Sequence, residues 1–354
     1  MAINLAAKYS NKIAEAYVKE SIFKGHLNNQ YEFAGVKSVK IYTPTTIALT
    51  DYNRSASSNR YGTPTEMQDT LQEMILRKDR SFSLTVDKGN NEDQMGIKPA
   101  AQMLALQLKE RAVPEYDLYC ATELALHAGK SIASGTAISK SNVVDRISDG
   151  TVWLDDAEVP GDNRTLYVTA TVYKYLRLSD EFQKSEPLIT KSLSKGEVGT
   201  FDGMTVIKVP KNRIPAGVNF IIVHRDAVTA PIKLSETKLH QDPPGINGNL
   251  IEGRQYYDCF IIGARANGVY VDVNSGTLSK VATPTQSSNV VSTTTSGAYI
   301  KYTLDGTDPR FSASAIVVTA ATTTTAVGSA GDTVKAYAYK AGSVDSDLLT
   351  FTRT

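Results

Sequence analysis

The sequence predicts a mixed α+β body followed by a small all-β unit. Three observations lead there: helical apolar spacing from Ala101 to Tyr119, β-favouring runs on both sides of it, and a shift after Val273 to Ser, Thr, Gly and Val. At 354 residues the chain exceeds what one compact core usually takes, so two domains are expected.

Residues 3–24 read as an amphipathic helix, because Tyr9, Ile13, Ala16, Tyr17 and Ile22 recur near helical spacing among Lys8, Lys12, Glu15, Lys19 and Glu20. Nothing nearby in sequence offers it a surface to pack on. From Tyr31 to Val86 the pattern is extended, with Val36–Ala48 and Phe82–Val86 as β-favouring stems. Between them Asp51–Thr65 is dominated by Ser, Asn, Arg, Gly and Pro and has no core-building period, so a long projecting loop is expected. Met67, Leu71, Met74 and Ile75 suggest a short helix on its return path.

The longest helical signal follows. Asn91, Glu92 and Asp93 offer capping chemistry, Pro99 suits a first turn, and the apolar stripe runs Ala101, Leu104, Leu108, Ala112, Tyr116 and Tyr119. Pro114 predicts a kink or pause near Val113, and Gly129 is a plausible stop. At ~1.5 Å per residue the segment extends roughly 45 Å.

Residues 140–235 alternate in type. Ser141–Ile147 is a helix candidate, whereas Thr165–Leu178, Met204–Val209 and Val218–His224 read as strands. Lys233–His240 and Gln255–Val273 flank the turn cluster Asp242-Pro243-Pro244-Gly245, which cannot continue a ladder, so they predict a second long hairpin. Asn274–Thr295 then reads as an extended linker. The short runs Tyr299–Leu304, Ala315–Thr319, Val334–Tyr339 and Leu348–Thr352 have the spacing of a small β-sandwich.

Composition excludes several functions. With 38 Lys and Arg against 37 Asp and Glu, the net charge of +1 gives no electrostatic reason for a polyanionic main partner. Met1–Lys12 holds no apolar core of signal-peptide length, and no stretch approaches the ~18 to 20 apolar residues that span a bilayer, so a soluble cytosolic product is expected. Cys120 and Cys259 lie far apart without a CxxC spacing and read as buried free thiols. His26, His127, His224 and His240 sit in four different segments, none with a second His at i+4. Asp155-Asp156 reads as a solvated loop near Gly161 rather than a cation or acid–base site. No GxSxG motif and no phosphate-cradling glycine loop occurs, so neither catalysis nor a cofactor is expected.

Two resemblances sharpen this reading. The segment order from Met1 to Val273, with Gly199–Val206 and Leu250–Asp258 as strand motifs, resembles the Hong Kong phage-type capsid fold of tailed-phage and herpesvirus shells and of encapsulins. That likeness implies a shell domain over 1–273, divided into an N-arm (1–30), an extended loop (31–88), a spine helix with peripheral domain (89–138), an axial domain (139–231) and peripheral strands (232–273). A linker over 274–284 and an immunoglobulin-like domain over 285–354 complete the expected division. Tyr302-Thr-Leu-Asp305-Gly306-Thr-Asp308-Pro309 is similar to the signature of an accessory module attached to chitobiase and other carbohydrate-active enzymes. Physically, Asp305-Gly306 and Asp308-Pro309 can each make a tight turn without a ligand, and Asp305 with Asp308 falls short of a dedicated calcium site.

The resemblance implies a major capsid protein that assembles with copies of itself into hexamers and pentamers. Intersubunit contacts are expected from Arg54, Arg60, Tyr61, Arg77 and Arg80 on the extended loop and from Asp242, Pro243 and Pro244 on the peripheral loop. The Arg77–Arg80 cluster, interleaved with acidic residues, reads as intersubunit ion pairing rather than DNA contact. No coiled-coil prefix precedes the arm, so a separate scaffolding protein, with a portal, is the expected assembly partner. Packaged double-stranded DNA would be met only non-specifically, and surface glycans are a further partner the C-terminal module suggests. The competing readings are an encapsulin-like compartment and a carbohydrate-binding surface protein. The latter needs an exposed aromatic platform, and Trp153, the one tryptophan, lies outside the module.

Overall fold

The computed structural model describes residues 20–28, 31, 38–44, 46, 49–64, 66, 69–89, 100–179 and 197–354. The arm helix expected over 3–24 lies outside these residues as far as residue 19, and over 20–24 the chain is bends and a turn, not helix; the capping residues Asn91–Asp93 also lie outside.

Strands β1 (Ser38–Pro44) and β2 (Asp69–Ile75) pair antiparallel as the stem of the projecting loop. The helix expected at Met67–Ile75 is therefore a strand over its described part. Residues four apart share a face in a strand as well as in a helix, and here Met74 and Leu76, two apart, are the buried pair, packed against Val39, Ile41, Tyr256 and Phe260. Strand β3 (Lys78–Asp87) leaves that arm and pairs antiparallel with residues 248–257.

Helix α1 (Ala100–Gln107) passes through a π-helical turn (Leu108–Ala112) into α2 (Val113–Leu126). The pause expected near Val113 takes this form: Pro114 has no N–H, and the Val113 N–H reaches back to Leu108 O, opening the ladder by one residue. Strand β4 (Lys130–Ser134) follows, then α3 (Val143–Asp156), twice the length expected from Ser141–Ile147. Asp155 closes that helix and pairs with Arg164, so the expected solvated loop is a helix end.

Strand β5 (Arg164–Thr169) gives way to α4 (Ala170–Leu178), where a single strand over Thr165–Leu178 was expected. The β-branched run hides the boundary, which Thr169 sets by accepting the Val172 N–H as an N-cap. Strands β6 (Glu197–Phe201) and β7 (Met204–Val209) form a hairpin whose Asp202-Gly203 corner has both φ values positive, at 48° and 74°. Strands β8 (Val218–His224), β9 (Val228–Thr229), β10 (Ile232–Gln241), β11 (Gly248–Tyr257), β12 (Phe260–Ile261) and β13 (Val269–Asn274) complete the body.

The centre is a mixed sheet in the order β4-β13-β8-β5-β7-β6. Alternation divides its side chains between two cores. Tyr167, Ile221, Val223, Val269 and Val271 face α2 through Cys120 and Leu124; Leu166, Val168, Phe220 and Ile222 face α3 and α4 through Val143, Ile147, Leu154, Val172 and Leu176. Burial on both faces explains why Val218–His224 is nearly all apolar. The sheet joins β13 to β8 and so crosses the boundary expected at 231/232.

Strands β14 (Thr285–Ser287), β15 (Val290–Ser292), β16 (Tyr299–Thr303), β17 (Ile316–Val318), β18 (Thr333–Tyr339) and β19 (Leu349–Thr352) form the C-terminal all-β unit. Four of them make a sheet in the order β17-β16-β18-β19, and β14 pairs with β15. Its own core is Val281, Val291, Ala298, Ile300, Val327, Val334, Ala336 and Ala338. The extended linker expected over 274–284 is not extended: Asn274 ends β13, the chain turns at Thr277 and Leu278, and Val281 is buried with its N–H on Val344 O.

Candidate assembly surfaces

The tip of the projecting loop orders itself locally. Asn53 Oδ1 accepts the Ser55 and Ala56 N–H groups, the Asn53 N–H reaches Arg60 O at 2.9 Å, and Arg60 Nε donates to Ala56 O at 2.8 Å. Tyr52 and Tyr61 meet edge to face at 4.9 Å. None of this buries the loop: Tyr61 is 86% exposed, Tyr42 64%, and Leu49 fully. A projecting arm that leaves its large apolar residues in water presents a surface suited to another molecule. Arg54, Arg60 and Tyr61 all sit on this tip and are exposed.

Arg77 and Arg80 sit elsewhere, at the foot of the loop, and both make pairs within the chain. The Arg77 N–H and Nε donate to Asp258 Oδ2 at 2.9 and 3.4 Å, and its Nη2 to Glu123 Oε2 at 3.0 Å. Arg80 pairs with Glu115 of α2 at 2.5 Å. More than half of each guanidinium side chain remains exposed. Asp258 is fully buried and also accepts from Tyr119 Oη at 2.6 Å, tying the loop's foot to the long helix.

Asp242, Pro243 and Pro244 occupy the tip of the second hairpin, β10–β11, whose return strand is Gly248–Tyr257 and not the expected Gln255–Val273. Asp242 has φ 43°, its N–H donates to Gly248 O at 2.7 Å, and its Oδ1 accepts the Gly248 N–H at 3.0 Å. Asp242 and Pro244 are exposed. This hairpin lies in one sheet with β3, so the two projections share a base. Gly253 stands opposite Phe82 there, and a Cβ on it would come 2.3 Å from that ring.

In the C-terminal motif Asp305 Oδ1 accepts the Thr307 N–H and hydroxyl at 3.0 and 2.7 Å, and Gly306 has φ 73°. Asp308 accepts the Arg310 N–H at 2.9 Å and its guanidinium at 2.7 Å, while Pro309 is buried and Tyr302 packs on the unit's core. These are turn roles. Among the described residues no three His, Cys, Asp or Glu side chains gather in a group that could hold a metal ion.

Two features had no sequence signal. Asp117, fully buried in α2, accepts from Ser21 Oγ at 2.6 Å, the Ile22 N–H at 3.2 Å and Arg213 Nη1 at 2.8 Å, and Arg213 also donates to Glu20 O. This buried cluster fastens the end of the expected N-arm, with Ile22, Phe23 and Leu27, into the body. Burial pushes the Asp117 carboxyl above its usual range, against the pull of Ser21, Ile22 and Arg213. The second feature is a ring of polar contacts between the all-β unit and the end of α2, through His127, Lys280, Arg310 and Asp345. Cys120 and Cys259 are buried free thiols, and their mutual hydrogen bond, then burial, raises the Cys259 pKa well above the ordinary thiol range.

No protein-family model matches the chain, and no curated protein matches it in sequence. Solved structures do match in shape. A structure from Mycobacterium phage Che8 is 17% identical with a TM-score of 0.61, over 77% of this chain and 98% of that one. The asymmetric unit of the bacteriophage PhiM1 mature capsid is 11% identical with a TM-score of 0.59, over 77% and 92%. The capsid structure of the cyanophage P-SCSP1u is 11% identical with a TM-score of 0.58, over 77% and 93%. The chain therefore has the α+β fold of phage capsid structures, to which a C-terminal all-β unit is joined.

Proposed function

We propose that this chain is the major capsid subunit of a tailed bacteriophage, a structural protein and not an enzyme, which self-assembles into the icosahedral shell around the genome. The observation that carries the reading is the near-complete coverage of two phage capsid chains, 92% and 93%, by a fold whose loop leaves its largest apolar residues uncovered. Assembly would work by addition. Subunits meet in hexamers and pentamers, each loop lies across a neighbour, and many weak contacts close the shell. Arg54, Arg60 and Tyr61 on the loop and Asp242, Pro243 and Pro244 on the second hairpin are the residues we assign to contacts between copies; a scaffolding protein and a portal are the partners of assembly in the host cytoplasm.

Residues 285–354 are read as an immunoglobulin-like module on the outer face. Lys301, Arg310, Lys335, Lys340 and Arg353 are matched by Asp305, Asp308, Asp332, Asp345 and Asp347, so the module has no basic excess to meet packed DNA. Weak adhesion to surface glycans is a use compatible with that position.

Electron microscopy of the chain produced with its scaffolding partner tests the reading. Closed shells of uniform diameter are expected, and monomers at every concentration would overturn it. DNA inside shells isolated from infected cells separates a virion from an encapsulin-like compartment.

A further inference from the structure

A helix end leaves its last carbonyls without intrahelical partners. At the end of α2 one such partner comes from the C-terminal unit. The Asp345 N–H donates at 2.9 Å to the O of Leu126, the last helical residue, and Arg310 Nη1 donates to Ala128 O and Gly129 O, in the turn just past the helix, at 3.2 and 2.9 Å. Arg310 is 6% exposed and is held in aim by Asp308, which accepts from its Nε and Nη2. His127 Nδ1 and Asp345 Oδ2 lie 2.8 Å apart, and Lys280 Nζ joins Ser131 O to Asp347 Oδ2 at 2.7 Å each.

The same unit also grips the foot of the projecting loop. The Ala313 N–H donates to Leu71 O on β2 at 2.9 Å. Phe311 sits against Gly263 so closely that a Cβ there would lie 2.5 Å from its own Cβ, while the Gly263 N–H donates to Gln72 Oε1 on β2 at 2.8 Å. One short segment, residues 308–313, thus touches the helix end and the loop stem together. Charged groups taken this far out of water are retained in one geometry because each is paired.

We propose that the C-terminal unit is an intramolecular brace: it caps the long helix and fixes the stem of the projecting loop at one angle to the body, so that a neighbouring copy meets the loop in a set direction. The clause about the neighbour rests on the shell reading; the brace itself does not. The sequence suggests instead an autonomous appendage on a polar linker, because Ser and Thr offer few apolar anchors. The anchoring is both polar, through the half-buried Arg310 and Lys280, and apolar, through Val344 and Phe311 on the core of the body.

Hydrogen–deuterium exchange on the unassembled full-length subunit tests the brace without reference to shells. Two variants are used. Arg310→Gln removes the hold on the turn after α2, and Gly263→Val wedges Phe311 off the body without touching the unit's own core. Exchange over residues 69–75 and 124–131 should rise at least about tenfold in both, with 299–303 and 333–339 unchanged, since local opening follows the loss of local contacts. Wild-type exchange over 69–75 in Gly263→Val would overturn the proposal. If Arg310→Gln also loosens 299–303, the Gly263→Val result alone decides. Failure of the chain to form shells would leave this exchange pattern as it is, so the two readings fail separately.

Discussion

Asp117 and Arg213 meet at 2.8 Å in the interior, 96 positions apart in sequence, with side chains 0% and 2% exposed. The pair holds together three pieces of chain: α2, the loop after β7, and residues 20–22 of the N-arm. Removing one partner strands the other charge in a low-dielectric interior.

Asp117→Ala is accordingly expected to cost about 3–5 kcal/mol, whereas the double change Asp117→Leu with Arg213→Met should cost much less, because no charge is left unpaired. Denaturant unfolding of the three proteins checks this. A double variant as unstable as the single one would show that packing, not charge, sets the cost.

Deleting residues 51–65 should block shell formation and leave the subunit folded. Within the described residues the tip makes its contacts with itself, through Asn53, Arg60 and the Tyr52–Tyr61 pair, and adds nothing to the cores of the body. Circular dichroism and electron microscopy on the same preparation read both halves. Normal shells from the deletion would remove the loop from the assembly scheme.

The loop tip carries Arg54 and Arg60 but no Lys between Asp51 and Thr65, and an arginine cannot form a Lys–Asn isopeptide. Mature particles should therefore run as one monomer band on denaturing electrophoresis. A ladder of covalent oligomers is the opposing result.

The brace should weaken as pH rises. Burial lowers the His127 pKa, but Asp345 across the interface and Glu123 on its own helix outweigh burial and the repulsion of Arg77, leaving it above 6.5. A raised value in the folded state means that the imidazolium contributes stability in full below 6.5 and loses it as pH rises through the folded value. Between about pH 6 and about pH 8 the melting temperature of the wild type should fall relative to that of His127→Gln. Parallel curves would assign the contact no role.

Much of the fold is legible in local pattern. Val218–His224 and Met204–Val209 are strands as read, and Tyr299–Thr303, Ile316–Val318, Thr333–Tyr339 and Leu349–Thr352 fall within a residue of their expected places, because alternation and bounding Gly and Pro fix them. The misreadings share one cause. Leu71 and Ile75, four apart, fit a helix or a strand alike, and Thr165–Leu178 changes from one to the other at a cap that β-branched neighbours disguise. Partners across the fold are not legible at all: nothing around Arg310 announces Gly129, 181 positions earlier, and nothing around Ser21 announces Asp117. The assembly residues divide the same way. Arg60 and Tyr61 lie where a structureless polar run places them, whereas Arg77 and Arg80 face partners, Asp258, Glu123 and Glu115, that only the tertiary structure brings near.

The central claim is that the projecting loop is completed by another copy of this chain. A cryo-electron microscopy reconstruction of the assembled particle tests it most directly. A closed shell is expected in which Tyr52 and Tyr61 of each subunit rest on a neighbouring subunit; a shell in which residues 49–62 stand free in solvent or fold onto their own subunit would contradict this.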